Sequence, residues 1–234
     1  CPSALRPLLA SVLRTRADRP LLVVTSTYRE AENTRDTLAS VLGEDDVAYY
    51  PAWETLPHER LSPRSDTVGR RLSVLRRLAG HDELPAPGVI VAPVRAILQP
   101  QVAGLGDLLP VRIEAGRDYD VDEIAAALVD AAYVRVDLVE RRGEFAVRGG
   151  IIDVFPPTSE HPYRVDFFGD QVEEIHPFSV ADQRSMEETL PAITADPCRE
   201  LLLSDAVRER AATLSMRTDL GEQLREMFAK IAEG

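Results

Sequence analysis

Two short runs, Leu21-Leu22-Val23-Val24-Thr25 and Val89-Ile90-Val91-Ala92-Pro93, constrain what this chain can fold into more than any other feature. Both are continuous, apolar and rich in β-branched residues, the pattern of strands buried on two faces, which occur in parallel sheets covered by helices. The residues between them supply those helices. Tyr28 to Leu42 turns Arg29, Glu30, Glu32 and Arg35 outward and Leu38, Val41 and Leu42 inward at helical period. Ahead of the first run, Leu5, Leu8, Leu9, Val12 and Leu13 mark an amphipathic helix with Pro7 in its first turn, where proline is tolerated. Val47 to Tyr50 reads as another strand and Val94 to Leu98 as a short helix. Strands alternating with helices predict an α/β fold with a parallel sheet over residues 1–109.

Pro51, Pro57 and Pro63 prevent a long regular element after Tyr50, so Pro51 to Arg60 is expected to be an ordered loop anchored by Trp53. Ser65-Asp66 should cap a helix from Thr67 to Leu78, with Val68, Leu72, Leu75 and Leu78 on one face. Arg64, Arg70, Arg71, Arg76 and Arg77 surround the rest of that helix. No aromatics are interleaved among these arginines, so a solvated face is expected over a phosphate-contacting one.

The pattern changes near Pro110. Leu108 to Ile113 suggests a strand and Asp122 to Ala132 a helix, followed by the alternating run Val134 to Val139. The stretch Arg141 to Pro156 then breaks at Gly149-Gly150, and Tyr163 to Phe168 and Gln171 to Phe178 add further strands. One helix against an antiparallel sheet predicts an α+β domain over 110–196 with one sheet face left to solvent. Helices from Ser204 to Met216 and from Leu220 to Ala232 mark a third segment, 197–234, which ends without a clear closing element and is expected to continue.

Several functions are disfavoured by composition and motif. A net charge of -12 opposes broad phosphate binding, which needs a basic face to release counterions. Cys1 and Cys198 are too few and too far apart for a disulfide framework, and with four scattered histidines they suggest no metal. A phosphate-cradling loop requires clustered glycines and a lysine at a helix start, but the sole lysine is Lys230 and no Gly-Lys-Ser/Thr occurs. Neither catalysis nor a cofactor is therefore expected of this chain. No apolar run reaches the roughly 20 residues of a membrane span, and residues 1–14 lack the shape of a signal peptide, so a cytoplasmic location is the default.

Four strings carry a resemblance: Tyr50 to Glu59 (YPAWETLPHE), Arg142 to Asp153 (RGEFAVRGGIID), Tyr163 to Phe168 (YRVDFF) and Phe178 to Ser185 (FSVADQRS). In this order they are similar to the N-terminal, UvrB-homology region of bacterial transcription-repair coupling factors of an actinobacterial type. The resemblance implies a degenerate helicase-like, P-loop-type parallel-sheet domain without its nucleotide motif. An inserted α+β domain of the UvrA-binding type would interrupt it, with a return to the first domain after residue 197. Cys1 to Leu9 stands where the phosphate-binding motif of UvrB would be, and the Pro51 to Pro63 loop replaces its damage-gripping hairpin. The ATP-driven translocase motor of such factors, and their contacts to RNA polymerase and DNA, would lie outside this chain.

The family's UvrA contact falls on Arg148, Arg164 and Phe168, and the implied job is to bring UvrA to RNA polymerase stalled at DNA damage. An arginine fork and an aromatic suit a protein interface. On residue chemistry alone, pairing of Arg148 or Arg164 with Asp153 or Asp166 inside the domain is the favoured account of the arginines. Two other functions compete: an autoinhibitory module packing on the C-terminal part of the parent chain through the same face, and a UvrB-like enzyme that handles damaged DNA.

Overall fold

A computed structural model describes residues 5–55 and 62–233. The Leu56 to Glu59 part of the first string, and Cys1 to Ala4 of the expected first helix, lie outside the described residues. The first unit contains α1 (Arg6–Arg14), β1 (Leu21–Thr25), α2 (Tyr28–Leu42), β2 (Val47–Tyr49), α3 (Ser65–Ala79), β3 (Val89–Pro93) and α4 (Val94–Leu98). Its strands form a parallel sheet in the order β1-β3-β2. One sheet face packs Val89, Val91, Leu21 and Val23 against Leu38 and Ala39 of α2 and Ala10 of α1. The other packs Ala48, Ile90 and Ala92 against Val74 of α3 and Ala96 of α4.

The central strand β3 is buried throughout, as its unbroken apolar pattern requires. β1 departs from expectation because it is an edge strand: Leu22 and Val24 are about half exposed, the helices covering only its Leu21 and Val23 side. The stripe of α1 is likewise half exposed, and the helix is seated through Ala10 and Ser11 instead.

The second unit opens with β4 (Val111–Glu114) and α5 (Val121–Asp130), followed by β5 (Val134–Arg135), β6 (Glu144–Arg148), β7 (Ile151–Val154), β8 (Tyr163–Phe168), β9 (Gln171–Pro177) and β10 (Ala192–Ala195). β5 to β9 form one sheet in sequence order, antiparallel except for the β5–β6 pair. β10 pairs antiparallel with β4, so the chain enters and leaves this unit side by side. The short Ala-Ile-Thr-Ala run of β10 carries too weak a strand signal to be read in advance, whereas its partner makes it regular. Phe145, Ile152, Val154, Val165, Val172 and Ile175 alternate toward Ile124 and Leu128 of α5 and make the largest core.

Beyond it, α6 (Asp205–Ser215) and α7 (Glu222–Glu233) pack on each other as a hairpin.

Three arginines of α3 overturn the solvated reading, whereas Arg64 and Arg70 are exposed as expected. Arg71 is 0% exposed, and Arg76 and Arg77 are buried as well. Each reaches a partner distant in sequence. Arg71 Nε donates to Glu200 at 2.5 Å and Nη1 to the Pro51 carbonyl at 2.9 Å, with its guanidinium over the rings of Tyr50 and Trp53. Arg76 holds Asp82 and, at 2.6 Å, Asp196. Arg77 donates to the carbonyls of Pro85 and Asp45. The helix lies between the two units, so a face without an apolar stripe is still interior. Gly69 makes the approach possible, because a Cβ there would sit 2.6 Å from Pro157 Cβ. Ser65 does not cap: Arg64 takes the N-cap position without a side-chain bond, and Ser65 Oγ donates to the Arg142 carbonyl across the same interface.

Candidate functional site

The candidate residues sit on the β5–β9 sheet, on the face opposite its core. Cross-strand pairing places Ala146, Asp153, Arg164 and His176 in one row, and Arg148, Ile151, Asp166 and Glu174 in the next. Because side chains alternate, both rows share the face turned away from α5. The β6–β7 and β8–β9 turns close at the same end of the sheet, beside the second row.

This face is not wholly open, contrary to the reading of a sheet covered on one side only. The segment after β9 folds back over the first row, and Phe178 joins Val139, Ala146 and Phe155 in a small second core. Gln183 holds this roof in place by donating to the carbonyls of Val139 and Val180 from a left-handed backbone conformation, φ 60°. The strand formers that make this patch apolar are too few to signal a second core in sequence. Only the second row, at the turn end, remains accessible.

Asp153 lies at the boundary between covered and open, 1% exposed. Arg164, directly opposite, grips it with Nε to Oδ1 at 2.7 Å and Nη2 to Oδ2 at 2.9 Å. Its Nη1 donates to the Gln183 carbonyl at 3.2 Å, and the guanidinium stacks over Phe178 at 4.8 Å. The Arg164 side chain is only 16% exposed. The hydrogen bond it donates to the Asp153 carboxylate raises its pKa above the ordinary arginine value. Arg148 reaches the same carboxylate through Nη2 alone, and its side chain is 46% exposed. Sequence reasoning named Asp153 only as one of two alternative partners, but it holds both arginines at once. Asp166 makes no ion pair among the described residues; partial burial pushes its carboxyl pKa upward.

Phe168 owes its position to alternation along β8, which turns Val165 and Phe167 toward the core and leaves Phe168 78% exposed at the turn. The β8–β9 register shift between Asp166 and Phe167 is taken up on β9, where Glu173 and Glu174 are both exposed. The Phe167 N–H is held by the Gly150 carbonyl at 2.8 Å, which ties the two turns together. Gly150 fits this contact because a Cβ would lie 3.0 Å from the Phe167 carbonyl oxygen. The result is a half-exposed cation and an exposed aromatic at one end of a rigid sheet, the combination that anchors protein interfaces.

A family model for the UvrB interaction domain matches residues 111–199, the segment that builds this sheet. Over its whole length the chain is 51% identical to the transcription-repair-coupling factor of Mycobacterium tuberculosis (strain CDC 1551 / Oshkosh), of which it covers 19%. The chain belongs to the N-terminal region of the transcription-repair-coupling factor family. More distant members include that of Bacillus subtilis (strain 168), 35% identical over 88% of this chain and 17% of the relative. That of Escherichia coli (strain K12) is 32% identical over 86% of this chain and 17% of the relative. The chain thus spans about a fifth of the length of the family members it matches. Among the described residues no helix is long and apolar enough to cross a membrane.

Proposed function

We propose that this chain is a protein-interaction module that recruits the excision-repair protein UvrA, and that the parent factor uses it to bring UvrA to RNA polymerase stalled at DNA damage. The observation that carries the reading is the accessible end of the β5–β9 sheet, where Arg148 and Phe168 stand together within the segment matched by the UvrB interaction domain. The arginine offers charge-assisted hydrogen bonds to a partner carboxylate, and the phenylalanine supplies apolar area that is inexpensive to order. In this reading Arg164, the third residue on which the family's contact falls, completes the docking face from the neighbouring row.

The three-stranded parallel sheet is read as a degenerate helicase-like domain without ATPase chemistry, requiring no cofactor in this chain. An ATP-dependent translocase motor and contacts to polymerase and DNA belong to the rest of the cytoplasmic parent protein.

A pull-down of purified UvrA on the immobilised chain tests the reading. Arg148→Ala combined with Phe168→Ala should abolish retention while leaving the melting temperature within a degree or so, since both side chains are substantially exposed. Equal retention by the double variant and the wild type refutes it.

A further inference from the structure

Away from the docking sheet, a cavity of about 610 Å³ opens where the first unit, the segment after β10 and α7 meet. That volume is in the range of small-molecule sites, which favour junctions between packed units. Its apolar walls are Trp53, Val68, Val102, Leu203, Met227 and Ile231, from segments far apart in sequence. Met227, Lys230 and Ile231 stand three and four positions apart on α7, so one face of that helix supplies all three. Val102, Leu203 and Met227 are exposed large apolar side chains. Scattered singly such residues mean little, but here they line one hollow.

The charged lining is one-sided. Arg199, Glu200 and Lys230 all border the cavity. The Glu200 carboxylate is already engaged by the Arg71 guanidinium and the Trp53 indole, and its side chain is nearly buried. Arg199 and Lys230 are exposed, and among the described residues neither forms an ion pair. In a chain of net charge -12 carboxylates are plentiful, yet none of the described ones comes to these two cations.

We propose that this junction binds a small amphipathic anion, its flat apolar body between Trp53 and Met227 and its acidic group on Arg199 and Lys230. The indole offers a flat face for stacking, and the flexible methionine adapts to the opposite side. The acidic group gains charge-assisted hydrogen bonds from both cations. A neutral apolar molecule would leave the cations without a counterpart, and an anion without an apolar body would leave the walls wet. Because α7 buries none of its own residues and packs mainly on α6, the ligand also bridges the hairpin to the first unit.

The probe is 8-anilinonaphthalene-1-sulfonate, which has aromatic rings, one sulfonate and an emission that rises in apolar surroundings. One equivalent should bind, with energy transfer from Trp53, the sole tryptophan, marking the site. Arg199→Gln combined with Lys230→Gln should weaken binding about tenfold or more. Both positions are exposed, so melting curves of the variant should match the wild type. N-phenyl-1-naphthylamine, the same rings without the sulfonate, should bind more weakly and ignore both substitutions. Leu203→Glu, which adds a carboxylate to the cavity wall, should exclude the sulfonate probe.

Sulfonate binding unmoved by the double substitution, or an equal loss for charged and neutral probes, overturns the proposal. Binding without transfer from Trp53 overturns it too, because the probe then sits elsewhere. Titration of the intact parent factor completes the test: retained binding supports a ligand site, whereas its loss means that the parent's own residues fill the cavity and the proposal falls. The docking reading of the β5–β9 sheet stands or falls separately.

Discussion

Neutralising Glu200 should loosen the junction between the two units. Glu200 is the acceptor for two donors of the first unit, Arg71 Nε at 2.5 Å and Trp53 Nε1 at 3.0 Å. The Arg71 side chain is fully buried and that of Glu200 nearly so. Glu200→Gln keeps the shape and one acceptor oxygen but removes what is, among the described residues, the only carboxylate on a buried guanidinium, which is also supported by the Pro51 carbonyl and two aromatic faces. Removing one member of a buried pair typically costs about 3–5 kcal/mol. In a chain of this size that lowers the melting temperature by about 6–20 °C. Arg71→Met together with Glu200→Gln removes both charges while keeping the volume, and should recover most of the loss, since apolar replacement of a whole buried pair is often neutral. Trp53, the sole tryptophan, stands at the site, so its emission during urea unfolding reports the junction directly. A Glu200→Gln loss below about 1 kcal/mol, or a double variant as unstable as the sum of the single ones, refutes the assignment of a charge-dependent clamp.

Other measurements probe the docking sheet and its core. Gly150→Ala should press its Cβ on the Phe167 carbonyl and disturb the tie between the two turns beside Phe168, weakening UvrA binding; Gly149→Ala meets no neighbour but occupies φ +60° and should cost about 1 kcal/mol of stability without that loss. His176 donates to Glu174, which raises its pKa above the ordinary 6.5, so its small stabilising contribution is complete below the unfolded value and is lost as pH rises through the folded one; an NMR titration should place the midpoint above 6.5, and Glu174→Gln should return it. Cys198 is buried, with its thiol pushed up to about 12, so in a Cys1→Ser background a maleimide at pH 8 should label it only after denaturant is added, and fast native-state labelling contradicts its burial.

Local pattern determined a large part of this molecule. β1, α2, β3 and α4 follow directly from periods of two and 3.6 and from apolar continuity, and the hairpin around Gly149-Gly150 follows from turn chemistry. The arginines of the candidate site were visible as residues that interrupt strands, whereas Phe168 was singled out by the family resemblance. These features depend on neighbours within a few positions, which a sequence displays directly. Tertiary structure decided which arginine is which. Arg71 and Arg76 look like a solvated helix face until the segment bearing Asp196 and Glu200 returns from 120 to 129 residues away to meet them, and Arg77 until the Asp45 and Pro85 carbonyls close over it. Arg148 and Arg164 look alike until strand register sets both on Asp153 and the Phe178 to Ser185 segment roofs only one. Whether a charge is spent inside the domain or left for a partner depends on where the opposite charge lands in space, and that is fixed by long-range pairing and not by spacing along the chain.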